Sequence, residues 1–294
     1  MNPHGTIRLV AAGLAVLASS VLPAGRLQAD SPYLFSTGGP DGRLASGAVI
    51  PTPGLQEIET ADDFALSLKT TIKEVTFTGL LPLGLPLTSV QDVSIGIYRV
   101  FPKDSLVPPS GNVPTRTNSP SDVEFTGRDA SGGSLSFTTD LINPSFTAGN
   151  SVVNGIHPIP GQLTNGEGPV TGQEVTFHVT LTTPVTLDPD HYFFVPQVQL
   201  NDGQFLWLSA PKPITPPGTP FVPDLQTWIR NADLSPDWLR VGTDVIGSGT
   251  YNASFTLSGT TVDSTVPDGS ALALLLGGLM PVGFSALRAR RRSA

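Results

Sequence analysis

The chain has 294 residues, of which 39% are aliphatic or aromatic and only 14% charged, and its formal net charge is −8. This composition excludes a disordered chain and a chain embedded throughout in lipid, and it leaves Ser, Thr, Asn and Gln to cover the surface. Setting aside two arginines near the start, four near the end and Asp268, the sixteen cations and twenty-four anions become ten and twenty-three over residues 30–265, an acidic body that repels phosphate backbones and argues against nucleic acid as a partner.

Cysteine is absent, which rules out disulfides, thiolate metal sites and cysteine nucleophiles. The 31 glycines and 29 prolines break helices and supply turns, so short strands joined by loops are expected.

Residues 1–29 read as a leader. Arg8 gives a cationic start, an apolar run follows over 9–22, and Leu27, Gln28 and Ala29 precede Asp30. The run is too short to span a bilayer comfortably, and the small residue at Ala29 suits signal peptidase, so cleavage between Ala29 and Asp30 is predicted. A buried first helix is the competing reading.

The body, 30–265, is predicted to be all-β. Over 174–182, Val175, Phe177, Val179 and Leu181 alternate with Thr176, His178, Thr180 and Thr182, the period of a strand with one buried face. The same period appears at Val75 and Phe77, at Val93, Ile95 and Ile97, at Leu135 and Phe137, and at Tyr251, Ala253, Phe255 and Leu257. Stretches rich in Pro and Gly at 82–86, 108–111 and 216–220 are turns or loops. Residues 191–200 are apolar on both faces apart from Gln197 and Gln199 and carry Pro196, which predicts a sheet edge or a bulge. A hairpin through Asn201, Asp202 and Gly203 is expected to pair this strand with Phe205, Leu206, Trp207 and Leu208. No fixed repeat appears, and the expected architecture is one antiparallel, jelly-roll-like β-sandwich.

No zincin helix, phosphate loop or Gly-x-Ser-x-Gly elbow is present, and Gly166, Gly168 and Gly172 have the spacing of a turn. Three histidines in the body, His157, His178 and His191, keep a hydrolase reading in view, because the members of a Ser-His-Asp triad need not be close in sequence. A solvated histidine on the polar face of a strand is the commoner role for His178, and the chain is not read as an enzyme. Asp62 with Asp63, and Asp188 with Asp190, carry oxygens of the kind Ca²⁺ takes, but neither pair has EF-hand spacing, and solvated turn carboxylates are the expected explanation. No other cofactor or metal is expected. Trp207, Trp228, Trp238 and Tyr192 are candidates for stacking on sugar rings of an extracellular polysaccharide, against the more frequent role of such residues in a β core.

The C-terminal end, 266–294, has three parts: Val266, Pro267, Asp268, Gly269 and Ser270; an apolar stretch over 271–287; then Arg288, Arg290, Arg291 and Arg292. Seventeen helical residues span about 25 Å, enough for a thin bilayer, so a transmembrane helix is expected there. The arginines after it favour a cytoplasmic C-terminus and an outward-facing body.

This tripartite tail resembles the sorting signals of PEP-CTERM proteins, in the variant whose motif begins Val-Pro-Asp. The resemblance covers about the last thirty residues. It implies a signal recognised and cut by a membrane exosortase, with delivery of the body to the cell surface or extracellular matrix. Gly269 departs from the family's name motif, which has a proline after the acidic residue. Residues 59–64 and 190–196 are loosely similar to stretches of bacterial exported β-sandwich proteins of unknown function. The expectation is an exported surface or matrix protein, structural or adhesive in a polysaccharide-rich envelope. A carbohydrate-binding module is the alternative and a secreted hydrolase ranks third.

Overall fold

The computed structural model describes residues 31–156, 161–211 and 226–261. Residues 1–30 and 262–294, with every sorting and cleavage residue named above, lie outside these residues, as do His157 and the stretch 216–220. Among the described residues no helix is long and apolar enough to cross a membrane.

Among the described residues fifteen strands follow in chain order. The first eight are β1 (Ser31–Ser36), β2 (Ala45–Gly47), β3 (Ile58–Leu66), β4 (Thr70–Leu81), β5 (Val90–Arg99), β6 (Thr126–Asp129), β7 (Leu135–Ala148) and β8 (Ser151–Val152). The rest are β9 (Val170–Leu187), β10 (Asp190–Leu200), β11 (Leu206–Ala210), β12 (Trp228–Asn231), β13 (Leu239–Arg240), β14 (Asn252–Ala253) and β15 (Phe255–Thr261). They form two mostly antiparallel sheets. The first contains β1, β15, β4, β11, β2 and β8 with β9, β7 and β14; the second runs β13-β12-β3-β10-β5-β6. The expected all-β, antiparallel character is present, with one parallel pair between β2 and β8.

β4 is the spine of the first sheet. One side pairs with β9 along its length. The other side pairs with β15 from Thr70 to Phe77 and then passes to β11 at Gly79 and Leu80. Gly79 makes this handover fit, because a Cβ there would lie 2.3 Å from the Phe205 ring and 2.4 Å from the Leu206 carbonyl oxygen. The alternation predicted for 174–182 holds in β9, where Val175, Phe177, Val179 and Leu181 are buried while His178, Thr180 and Thr182 are exposed.

The inner faces of the sheets meet over an aromatic core. Phe77 of β4 stacks on Phe177 of β9 at 4.8 Å, Phe194 of β10 stacks on Phe255 of β15 at 5.1 Å, and the Phe194 ring meets Trp207 of β11 edge-on. Each fully buried phenylalanine contributes roughly 1.5–3 kcal/mol through removal from water, so this cluster dominates the cohesion between the sheets.

The second sheet is covered on its outer face as well. Ala61, Tyr98, Phe193, Val195, Trp228 and Trp238 form a separate buried cluster there. This explains why residues 191–200 are apolar on both faces and corrects the edge half of the expectation, since β10 is central, between β3 and β5; the other half, a bulge, is present as a register shift against β5 between Gln199 and Leu200. Pairing with β3 runs only from Asp190 to Phe194. Val49 then wedges in, bridging Ile58 on one side and Val198 on the other. Pro196 falls in the interval between these two neighbours, where no ladder N–H is required on that side.

The hairpin expected through Asn201 to Gly203 is also corrected. Gly203 does take the left-handed conformation, φ 76°, but the turn carries the chain from one sheet to the other. β11 pairs with β2, β4 and β14 rather than with β10. Phe205, settled against Gly79, and Trp207, whose indole N–H donates to the Ser254 carbonyl at 2.9 Å, hold it in the first sheet.

Candidate functional site

The four aromatics predicted to stack on sugars are interior residues. Trp207 is 1% exposed, Trp228 1%, Trp238 0% and Tyr192 3%. Trp207 and Tyr192 belong to the core between the sheets, Trp228 and Trp238 to the cluster on the outer face of the second sheet. No indole or phenol face is offered to solvent, so sugar stacking on these four is corrected to core packing.

The acidic pair Asp62 and Asp63 is not a solvated turn either. Both lie inside β3, 0% and 3% exposed, because β3 is flanked by β12 and β10 and covered on both faces. Asp62 accepts hydrogen bonds from the backbone N–H groups of Asp63 and Ala253, which ties β3 to β14 of the opposite sheet. Asp188 and Asp190 sit nearer the surface, facing Lys69 at 3.0 Å and Lys103 respectively. Among the described residues no three His, Asp or Glu side chains gather as a metal would need.

His178 faces Asp140 of β7 at 3.2 Å, with both side chains about half exposed or more. The pair lies on the outer surface of the first sheet, not in a cleft. The backbone N–H of His191 donates to the Asp190 carboxylate, and Asp190, Asp188 and burial together push the Tyr192 phenol up to about 12, burial first.

The outer face of the second sheet contains a buried ionic network that the sequence did not reveal. Arg230 of β12 ion-pairs with Glu59 of β3, and its guanidinium also donates to the carbonyls of Asp122 and Pro236 and to the Tyr98 hydroxyl. Tyr98 in turn donates to Glu59 at 2.6 Å, and the Arg230 guanidinium lies 4.2 Å from the centre of the Trp238 indole. Burial, then the Glu59 charge, raises the Tyr98 pKa far above its ordinary value. Next to it Arg116 reaches Asp237 at 2.9 Å and Asp122 at 2.8 Å, and donates to the Ser119 hydroxyl and the Pro120 carbonyl. The network pins the 100–125 loop onto the sheet. Its groups are enclosed and mutually paired, which is the arrangement of a structural clasp.

The open concave surface lies elsewhere. One cleft of about 350 Å³ is lined by Leu80, Leu81, Val170 and Leu206 with Glu167 at its rim. A second of about 320 Å³ is lined by Gln56, Asn231 and Asp233. Val153, Asn154 and Gln204 line both, so the two clefts meet along a shared wall. The wall is fixed by Glu167, whose carboxylate accepts the successive N–H groups of Val153, Asn154 and Gly155 at 3.0, 2.8 and 2.7 Å. Positions 154 and 204 carried no signal in the sequence, since a loop asparagine and a loop glutamine fifty residues apart form no motif.

No protein family, curated protein or solved structure matches the chain.

Proposed function

We propose that the chain is an exported protein displayed at the cell surface or in the extracellular matrix, where its β-sandwich is a structural or adhesive element of a polysaccharide-rich envelope. The observation that carries this reading is the order at the C-terminal end: Val266, Pro267 and Asp268, then an uncharged apolar stretch, then Arg288, Arg290, Arg291 and Arg292. In this reading signal peptidase removes 1–29, the apolar stretch is a membrane-spanning helix, and an exosortase-type enzyme acts near Ser270. The tail resembles the PEP-CTERM sorting signal in these parts.

The sandwich is read as jelly-roll-like, which is supported by the way the chain alternates between sheets through β3, β4 and β5 and again through β9, β10, β11 and β12. The pairing of β1 with β15, Ser31 opposite Thr261, brings the segments that follow the leader and precede the tail to one corner of the body, as an anchored module needs.

Intact-mass measurement of the protein from cells with and without the sorting enzyme tests the reading, together with protease treatment of whole cells. A mass ending near Ser270 and a body accessible from outside support it. A body protected from external protease in intact cells overturns it, and an accessible body that retains the arginines reduces it to plain anchoring. Carbohydrate binding is kept as a second reading because of the clefts that meet at Asn154 and Gln204.

A further inference from the structure

We infer that the two clefts joined at Asn154 and Gln204 form one groove that binds an extended, uncharged polysaccharide chain through side-chain amides. The inference deepens the second reading above and does not depend on how the chain is anchored.

The two amides on the shared wall are free to take a ligand. Neither side chain has a hydrogen-bond partner among the described residues, and both open onto the two clefts. An amide offers donors and an acceptor in one plane, which matches a sugar hydroxyl that must donate and accept at once. The far cleft extends the same chemistry. Gln56 donates to Asp233 at 3.2 Å, which leaves its own carbonyl oxygen free to accept, and Asn231 uses its carbonyl on Leu234 N–H at 3.0 Å, which leaves its NH₂ free to donate.

Positive charge is missing from the described lining. Among the described residues no lysine or arginine lines either cleft, and the charged ones that do are the carboxylates Glu167 and Asp233. Such a groove repels acidic polysaccharides and phosphates. The apolar lining by Leu80, Leu81 and Leu206 gives the C–H faces of a pyranose a surface to cover, so one cleft takes the apolar side of a sugar while the shared wall reads its hydroxyls.

The backbone of the shared wall favours a glycan over a peptide. An extended peptide docks by adding a strand to an open sheet edge. Here the backbone along the 151–155 wall is already engaged. The Ser151 N–H donates to the Asn150 side chain, the Ser151 carbonyl accepts from Glu167 N–H at 2.9 Å, and the next donors go to the Glu167 carboxylate. Along this wall recognition has to come from side chains.

The test uses the full chain in mild detergent, run by native electrophoresis through gels containing a neutral β-glucan, a mannan, a galactan or polygalacturonate, and separately applied to an array of unmodified decapeptides. Retardation in at least one neutral gel, none in polygalacturonate, and loss of about tenfold in affinity for the double variant Asn154→Ala with Gln204→Ala are expected, as two lost hydrogen bonds imply. The melting temperature of the variant should match that of the parent, because both side chains are partly or fully exposed and bond to nothing among the described residues. Folded protein that is retarded by no neutral gel, retardation that survives the double variant, or variant-sensitive binding to peptides or polygalacturonate instead would each overturn the inference. Protease accessibility in whole cells is read separately, so failure here leaves the surface reading standing, and failure there leaves the groove standing.

Discussion

Arg116 and Asp237 stand 121 residues apart in the chain, yet their side chains meet at 2.9 Å with the aspartate fully enclosed. The contact joins the 100–125 loop to the segment between β12 and β13 and closes the outer cover of the second sheet. Removing the shared cation strands two carboxylates, Asp237 and Asp122, away from water. Arg116→Ala is expected to lower stability by about 3–5 kcal/mol, read as a drop in the urea midpoint at unchanged slope. A shift within the range of an ordinary surface substitution would show that water reaches Asp237.

Gly79 is needed for close approach, since the Phe205 ring and the Leu206 carbonyl occupy the space a side chain would take. Gly79→Ala is expected to cost about 1–3 kcal/mol through overpacking. Gly84, in the turn after β4, has φ 75° and nothing within 4 Å of an added Cβ, so Gly84→Ala separates the cost of backbone conformation from that of crowding. Thermal melts of the two variants make the comparison.

The three buried tryptophans give an optical prediction. Intrinsic fluorescence should be blue-shifted relative to free indole and poorly quenched by acrylamide, and saturating neutral saccharide should leave it unchanged, because the proposed groove contains no tryptophan. Quenching on sugar addition would place a ligand against an indole and contradict the core assignment.

Two acids should make opposite contributions to the pH dependence. Hydrogen bonding from Arg99 holds the Asp104 carboxyl below its ordinary 3.8, so its stabilisation is present above that pH and is lost as pH falls through the lower, folded-state value. Asp104→Asn should therefore be less stable than the parent at neutral pH, with the gap closing in acid. For Glu124, burial and then the Glu59 charge raise the carboxyl above 4.5. Stability linked to Glu124 is present below that pH and is lost as pH rises through the folded value. Glu124→Gln should be more stable than the parent at neutral pH and equal to it near pH 4. Melting temperatures across pH 3–8 read both signs, which are small because these groups are partly open to solvent.

β9 was legible because one of its faces is wet over many residues. In β9 the threonines between Val175, Phe177 and Val179 display period two directly. In β10 that signal vanishes, because Phe193 and Val195 are covered by a second layer while Phe194 and Val198 face the main core. The layer is built from the 100–125 loop, whose Pro, Ser and Gly content reads as exposed chain, and from the segment between β12 and β13 that carries Trp238. Its true position depends on Arg116 finding Asp237 and on Trp238 donating its N–H to the Ser121 carbonyl at 3.0 Å, contacts with no local pattern. Asp62 and Asp63 misled for a related reason: adjacent acids are usually solvated, and what satisfies Asp62 is a backbone N–H almost two hundred residues away. The groove was illegible because it is assembled from loops whose residues gain meaning only when β8, β11 and β12 bring them together.

β15 ends at Thr261 between β1 on one flank and β4 on the other, bonded to both along its length. A pull transmitted from the C-terminal side along the axis of that strand loads both ladders in parallel, as shear, instead of peeling rungs one at a time. The last of the described strands is thus set like a rivet between two plates, and under the proposed anchoring it would take drag on the body as shear.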